Sequence, residues 1–314
     1  MKQLPSFDSD DIIRHTPMRA AIDALRDCFA ARPLHIPRTP LQASGGEFML
    51  MPAVDGDVAG IKLLMIQPKN IERGRPVIQG TYVLFDADAG EPVALFDGAA
   101  LTNLRTPAIS AVATEGLARR DVRTLGIIGS GPQAIAHVDA MLCVRPNIDA
   151  VVVASRTAAN AQAVADRIAG EHARFGDRAV TVGDYAAAAA CDLVCTATRS
   201  TEPLMTAAMV RPGTHINAVG AYRNDMRELS TDLVAASTVV VDELHAARDE
   251  AGDLALAIAD GGWSWDRLAG DLADVAAGVL RRTSDEEITF FKSSGLAVED
   301  LVIARLVASA LGLL

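Results

Sequence analysis

The sequence predicts an α/β protein in which a doubly wound parallel sheet is joined to an α+β domain. Between residues 121 and 284, short and mostly apolar runs alternate with helix-like segments. Such runs are typical of strands buried on both faces of a parallel sheet. A glycine-rich loop directly follows the first run, and residues 1–120 show a different order of strands and helices.

The composition excludes several classes of protein. A chain of 314 residues usually forms two domains. Acidic residues outnumber basic ones by 40 to 29, and no basic cluster stands out, so nucleic acid is not an expected partner. Mean hydropathy is +0.22, but the apolar runs are too short for a membrane span. The amino terminus has no apolar signal region, which predicts a cytoplasmic protein.

The first block, residues 1–120, is predicted to contain two helices and four strands. The first helix is expected to begin with Thr16 as N-cap and Pro17 in the first turn. The second is expected between about Gly98 and Leu117, with a break or kink at Pro107. The predicted strands are Phe48 to Met51, Ile61 to Ile66, Thr81 to Phe85 and Val93 to Phe96, the last two joined by a hairpin connection.

The second block carries the parallel sheet. Its predicted strands are Leu125 to Ile128, Ala150 to Ala154, Ala179 to Val182, Leu193 to Thr196, His215 to Val219 and Val239 to Val241. The last segment, Phe290 to Leu314, is predicted as a loop followed by a helix. The pattern therefore predicts an α+β domain over 1–120 and a doubly wound domain over 121–284, and periodicity does not show which of them the last segment packs against.

The glycine loop is the strongest functional signal in the chain. Gly129-Ser130-Gly131-Pro132-Gln133-Ala134 matches G-x-G-x-x-A, directly after a predicted strand and at the start of a predicted helix. Gly129 permits the tight turn, Gly131 lets the backbone approach a pyrophosphate, and Ala134 allows close packing of helix on strand. The free N–H groups of the helix favour the phosphates. The alternative is a plain strand–loop–helix connection.

The end of the second parallel strand indicates which dinucleotide binds. An acidic residue there would bind the ribose 2′-hydroxyl of NAD, but the sequence reads Ser155-Arg156-Thr157. Arg156 can pair with a 2′-phosphate through two hydrogen bonds. NADP(H) is therefore the preferred cofactor, with NAD(H) possible. The alternative is that Arg156 is an ordinary exposed loop arginine.

Two cationic residues stand in apolar surroundings in the first block. Lys62 lies in a strand with two apolar faces and is expected near the strand end, where a bound anionic substrate would pair with it. A lysine reaching solvent from the strand edge is the alternative. Arg105 lies in an apolar helical stretch and suits a carboxylate or a phosphate, or a structural ion pair. Arg38, in a loop, is a weaker candidate.

Hydrolytic and metal chemistry have little support. The four cysteines form no CxxC pair, and the histidines show no HExxH motif or metal-ligand spacing. No G-x-S-x-G motif is present. No metal site is predicted.

Four stretches together resemble the ornithine cyclodeaminase/mu-crystallin family. They are Leu104-Arg105-Thr106-Pro107-Ala108, the glycine loop, the stretch from Pro212 to Ala221, and the stretch from Phe291 to Asp300. The resemblance implies a Rossmann dinucleotide-binding domain, residues 121–284, and an α+β substrate-binding and dimerisation domain, residues 1–120 completed by 285–314. It therefore implies a homodimer. It also implies that Arg38, Lys62 and Arg105 hold the substrate carboxylate. The positions that it implies around the dinucleotide are Thr106, Gln133, Ser155, Arg156, Thr157, Asn160, Thr198, Val219 and Ser293, beside Gly129, Gly131 and Pro132 of the loop.

One departure from the family pattern bears on the activity. Cyclodeaminases and related alanine dehydrogenases have an aspartate two residues after the glycine of the Asn-x-x-Gly stretch, whereas Tyr222 stands there in this chain and Asp225 follows three residues later. The arrangement is more similar to mu-crystallin and its bacterial relatives, which reduce cyclic ketimines. The expected reaction is reduction of Δ1-pyrroline-2-carboxylate or Δ1-piperideine-2-carboxylate to the cyclic amino acid. The alternatives are an ornithine cyclodeaminase, an amino-acid dehydrogenase or opine-type condensing reductase, and a non-catalytic small-molecule binder.

Overall fold

A computed structural model describes residues 3–314, except for the side chains of residues 172 and 173. The chain divides into two compact units, Met1–Thr106 with Leu296–Leu314, and Pro107–Gly295. The domain boundaries predicted from the sequence, 120/121 and 284/285, differ from the boundaries of these compact units, 106/107 and 295/296. The roles assigned to the two domains stay predictions.

Strands make up two sheets. Their bounds are β1 Ser6–Phe7, β2 Thr39–Ala43, β3 Gly46–Asp55, β4 Val58–Ile66, β5 Ile78–Asp86, β6 Glu91–Asp97, β7 Thr124–Ile128, β8 Ala150–Ala154, β9 Ala179–Val182, β10 Leu193–Thr196, β11 His215–Ala218, β12 Thr238–Val241, β13 Leu268–Asp271 and β14 Thr289–Lys292. Every predicted strand is present, and those of the first unit are longer than their apolar runs.

Helices separate most of the strands. Their bounds are α1 Ser9–His15, α2 Met18–Ala30, α3 Gly98–Leu117, α4 Pro132–Val144, α5 Ala158–Gly170, α6 His172–Phe175, α7 Tyr185–Ala189, α8 Thr231–Ala236, α9 Leu244–Glu250, α10 Gly252–Ala259, α11 Leu272–Ala276 and α12 Ala297–Ala310. Short 3₁₀ helices cover Pro68–Arg73, Ala207–Met209 and Trp265–Arg267.

The first unit is built on a six-stranded sheet in the order β1-β6-β5-β4-β3-β2. Strands β2 to β6 pair antiparallel and β1 pairs parallel to β6. Helix α12 packs against β3, β4 and β5, and against α2. Because side chains alternate between the two faces of a strand, buried residues alternate with partly exposed ones along the middle of β3 to β6, as Tyr82, Leu84 and Phe96 show.

The second unit is built on an eight-stranded sheet in the order β13-β12-β14-β11-β10-β7-β8-β9, and all its pairs are parallel. This confirms the predicted doubly wound sheet. The chain moves outward from β7 to β8 and β9, and then returns to the other side of β7 with β10. Ligands of such sheets bind at the carboxyl ends of the strands where the order reverses, which here is the edge beside the ends of β7 and β10.

Three predictions about elements were wrong. Thr16 is the C-cap of α1, which was not predicted, and the N-cap of α2 is Pro17, without a side-chain cap. Helix α3 continues through Pro107 without a break, and a kink there stays a prediction. The start of the predicted loop at Phe290 instead belongs to β14, Thr289–Lys292, which lies between β11 and β12 in the sheet. The strand is short: its four residues contain only two apolar ones and end in lysine, so the sequence shows no apolar run from which a strand could be predicted.

Candidate functional site

The glycine loop joins β7 to α4 and leaves the first turn of the helix open. Gly129 has φ +140°, and a Cβ there would lie 2.8 Å from the carbonyl oxygen of Ala197, so this position requires glycine. Gly131 is the N-cap of α4, and a Cβ there would meet nothing within 4 Å. Pro132 occupies the first turn, where a missing N–H costs nothing. The first backbone N–H groups of α4 are therefore accessible to an anion.

A cleft of about 870 Å³ opens at this loop. Its lining residues are Gly129, Ser130, Gly131, Ser155, Arg156, Asn160, Tyr185, Ala197, Thr198, Arg199, Ser200, Thr201 and Leu204. No carboxylate is among these residues. The volume is within the range of small-molecule sites.

The charge of the cleft is positive. Arg156 and Arg199 line it, and neither makes an ion pair with a carboxylate in the part of the chain that the structure describes. The hydroxyl groups of Ser130 and Ser155 lie beside them and share a hydrogen bond of 3.0 Å. Cations, hydroxyl groups and helix N–H groups are the donors that bind phosphate oxygens.

The cleft brings together six of the predicted cofactor residues and adds others. Gly129, Gly131, Ser155, Arg156, Asn160 and Thr198 line it. The lining residues that were not predicted from the sequence are Tyr185, Ala197, Arg199, Ser200, Thr201 and Leu204. Arg199 to Thr201 could have been predicted from their position, because they directly follow Thr198 beyond the carboxyl end of β10.

Other predicted cofactor residues have structural contacts of their own. Thr157 is the N-cap of α5, with its hydroxyl accepting from the backbone N–H of Asn160 at 3.3 Å. Ser293 follows β14 and donates its hydroxyl to Asp242 at 3.2 Å. Gln133 lies in the first turn of α4 and Val219 directly follows β11. Thr106 is buried in α3 and belongs to the first unit. Their contacts with a dinucleotide stay predictions.

In the first unit, Lys62 belongs to a buried ionic cluster. Its side chain is 1% exposed and lies in the middle of β4, opposite Met51 and Tyr82. Its ammonium group donates to Oδ2 of Asp300 at 2.6 Å and to the hydroxyl of Thr102 at 3.1 Å. The prediction that Lys62 lies near a strand end was wrong, and its pairing anion in this structure is a carboxylate of α12.

Arg105 completes the cluster. Its guanidinium donates to Oε2 of Glu299 at 2.7 Å, and its Nε lies 3.8 Å from Oδ1 of Asp300. All four side chains are buried, so two cations face two carboxylates away from water. Such clusters are costly to bury unless every charge is paired. The structural ion pair considered for Arg105 is therefore present, and the role of Arg105 toward a substrate stays a prediction.

Burial changes the acidity of this cluster. It lowers the pKa of Lys62 to about 8, because water no longer stabilises the ammonium form. The negative charge of Asp300 opposes this, and the positive charge of Arg105 adds to it. Burial also raises the pKa of the Tyr82 hydroxyl well above its usual range. Lys62 is thus a group that can hold or release a proton near neutral pH.

The remaining predicted site residue, Arg38, lies between α2 and β2 and is half-buried. Its role with a substrate stays a prediction. Within residues 3–314 no helix is long and apolar enough to cross a membrane. The cytoplasmic location stays a prediction.

Comparisons with known proteins agree with this architecture. Residues 8–311 match the family model for the ornithine cyclodeaminase/mu-crystallin family. The chain is 39% identical over 262 residues to a Delta(1)-pyrroline-2-carboxylate reductase of Bacillus cereus, covering 82% of this chain and 79% of the relative.

Two solved structures are similar over almost the whole chain. The Delta(1)-pyrroline-2-carboxylate reductase of Thermococcus litoralis, in complex with NADH and L-proline, has a TM-score of 0.91 and 31% identity, covering 98% of this chain and 97% of that one. An archaeal alanine dehydrogenase dimer with bound NAD has a TM-score of 0.90 and 28% identity, covering 98% and 95%. This chain belongs to the ornithine cyclodeaminase/mu-crystallin family.

Proposed function

We propose that this enzyme uses a reduced nicotinamide dinucleotide to reduce a small cyclic ketimine carboxylate, Δ1-pyrroline-2-carboxylate or Δ1-piperideine-2-carboxylate, to the cyclic amino acid. The observation that carries the proposal is the cleft at the open start of α4, with Arg156 and Arg199 and no carboxylate. The names of the relatives from Bacillus cereus and Thermococcus litoralis support the substrate class. The latter was solved with NADH and L-proline, a cyclic amino acid.

The dinucleotide residues fit such a cofactor, which when bound supplies a hydride to the imine carbon. The start of α4 and Arg199 bind the pyrophosphate, and Gly131 gives the phosphates room. The other residues around the dinucleotide are those expected from the family resemblance: Thr106, Pro132, Gln133, Thr157, Asn160, Thr198, Val219 and Ser293. NAD(H) is found in the related structures, and the finer assignment to NADP(H) rests on Arg156.

Residues of the first unit bind the substrate carboxylate, and one of them donates a proton to the imine nitrogen. Lys62, Arg105 and Arg38 orient the carboxylate, which fixes the imine carbon for hydride transfer. An ammonium group has three N–H donors, and Asp300 and Thr102 accept two of those of Lys62. The third is left for the substrate. With a pKa of about 8, Lys62 is protonated at neutral pH and can donate to the imine nitrogen.

Purified enzyme is expected to oxidise NADPH when Δ1-pyrroline-2-carboxylate is added, and to form proline in equal amount. Loss of NADPH absorbance and amino-acid analysis measure both. An ornithine cyclodeaminase would instead release ammonia from ornithine without added NADPH. Ammonia release of that kind, with no turnover of either imine, would contradict the proposal.

The loop after β11 favours the reductase. Tyr222 stands where cyclodeaminases carry an aspartate, and Asp225 is exposed and held by Arg223 through contacts of 2.8 and 3.0 Å. Because both carboxylate oxygens of Asp225 accept from Arg223, Asp225 does not replace the aspartate that is missing at Tyr222.

Replacing Arg156 by alanine is expected to weaken NADPH binding about 10- to 100-fold, because the charged hydrogen bonds to the 2′-phosphate are lost. NADH lacks this phosphate, so its dissociation constant should stay within about 2-fold of wild type. Fluorescence titration with each dinucleotide measures both constants. Arg167→Ala is the matched control, because Arg167 is an arginine of α5 outside the cleft. Equal weakening of both dinucleotides would contradict the role of Arg156.

We also propose that the chain forms a homodimer through the outer face of the first sheet. Apolar residues on this face alternate with the buried ones and remain partly exposed: Phe48, Leu50, Pro52, Ile61, Leu63, Met65, Val83 and Leu95. A contiguous apolar surface of this kind is typical of an interface. The related alanine dehydrogenase is a dimer.

A further inference from the structure

A buried carboxylate, Glu228, joins the carboxyl ends of β10 and β11. Its Oε1 accepts from the backbone N–H of Thr198 at 2.7 Å, and its Oε2 accepts from the backbone N–H of Gly220 at 2.8 Å. The hydroxyl of Thr196 also donates to Oε2, at 2.8 Å. Glu228 itself is fully buried. Glu228 therefore lies beneath the segment that runs from Thr198 into the cleft, and it does not itself line the cleft.

A second buried layer fixes the position of Glu228. Oδ1 of Asp253 accepts the backbone N–H groups of Glu228 at 2.6 Å and of Leu229 at 2.9 Å. Oδ2 of Asp253 lies 3.3 Å from the ammonium group of Lys292, which also donates to the carbonyl of Ala218 at 3.3 Å. Burial raises the pKa of Glu228, the charge of Asp253 adds to this, and Lys292 opposes it. The carboxylate is held by both its side chain and its backbone.

The two segments joined by Glu228 are in direct contact. A Cβ at Gly220 would overlap the backbone nitrogen and oxygen of Thr198 and would lie 2.5 Å from Oε1 of Glu228. Only glycine fits between them. A change in the position of Glu228 would therefore move residues 197–201, which form one wall of the cleft.

We propose that Glu228 is a positioning residue of the dinucleotide site, which sets the wall formed by residues 197–201 without touching the cofactor. The inference deepens the proposed function, because it rests on the cleft being the dinucleotide site. The physical basis is the set of donors: two backbone N–H groups and one hydroxyl converge on a carboxylate that has an acceptor for each.

A glutamine at this position separates the acceptor role from the volume of the side chain. Its amide has one acceptor oxygen and one donor NH₂ group. Thr196 can turn its hydroxyl to accept, but the backbone N–H groups of Thr198 and Gly220 can only donate. Whichever way the amide is oriented, one of these two loses its acceptor, so the wall of the cleft shifts.

The experiment compares Glu228→Gln with Asp192→Asn, which alters the opposite end of the same strand. Asp192 precedes β10 and accepts the backbone N–H groups of Arg123 and Thr124, each at 3.0 Å. We expect both variants to lower the thermal denaturation midpoint. Glu228→Gln should raise the dissociation constant for NADPH about 10-fold or more, whereas Asp192→Asn should leave it within about 2-fold of wild type. Fluorescence titration well below both midpoints measures the constants.

Three results would overturn the inference. These are an unchanged constant in Glu228→Gln, an equal loss of affinity in Asp192→Asn, and, should Glu228→Gln not fold, an unchanged constant in Thr196→Val. The last variant is close to isosteric and removes one donor to Glu228, and we expect it to weaken binding about 3-fold. Failure of the proposed function is a separate outcome, because wild-type enzyme would then bind no dinucleotide at all.

Discussion

Replacing Lys62 by methionine is expected to lower kcat/KM for the imine carboxylate by about 10³-fold, because a carboxylate ligand and a proton donor are lost together. The same change should lower the free energy of unfolding by about 3–5 kcal/mol, since it leaves Asp300 charged and buried without its ammonium partner. The side chains of Lys62 and Asp300 are 1% and 0% exposed. NADPH oxidation and denaturant unfolding measure the two effects.

The double variant Lys62→Met/Asp300→Leu separates activity from stability. Replacing both members of a buried ion pair by apolar side chains is close to neutral, so unfolding should return to within about 1 kcal/mol of wild type. Activity should stay lost, because no ammonium group is restored. Lys69→Met, at an exposed lysine of the same unit, is the control and should change neither quantity. If the double variant regained activity, Lys62 would have only a structural role.

The limits of the sequence analysis follow from distance along the chain. The glycine loop was readable because its strand, turn and helix are contiguous from Thr124 to Val144. The ion pair of Lys62 joins residues 238 positions apart. Periodicity identified Lys62 as unusual, since a charge stood in an apolar strand, but it could not name Asp300 as the partner. The central position of Lys62 in β4 was also hidden, because Val58 to Gly60 extend the strand without a clear apolar run.

The parallel sheet shows the same limit. Six of its eight strands, β7 to β12, were predicted because short apolar runs alternate with helix-like segments after the glycine loop. Strand β14 was not, although Phe290 and Phe291 are fully buried. Its last residue, Lys292, is buried and pairs with Asp253 of α10. Asp253 comes near Lys292 only in the folded chain, so the sequence does not show the pair. Glu228 was missed for the same reason: an acidic residue in a polar segment gives no sign that three donors converge on it.

Gly131→Val is expected to abolish dinucleotide binding while leaving the fold intact, with the dissociation constant for NADPH rising about 100-fold or more because the pyrophosphate can no longer approach the start of α4. The fold should tolerate the change. Gly131 has φ −84° and ψ 179°, which valine adopts freely, and a Cβ there meets nothing within 4 Å. Loss of a glycine N-cap should cost no more than about 1 kcal/mol.

Two further glycines make this test specific. Gly170→Val places the same side chain in open space at the end of α5, outside the cleft, so it should keep both thermal midpoint and affinity. Gly129→Val should fail to fold, because φ is +140° and the Cβ would lie 2.8 Å from the carbonyl of Ala197. If Gly131→Val bound NADPH normally, the proposal that this loop binds the dinucleotide would be wrong. Stable folding with lost binding would mean that the space before α4 is kept open for the cofactor, whereas Gly129 serves the turn.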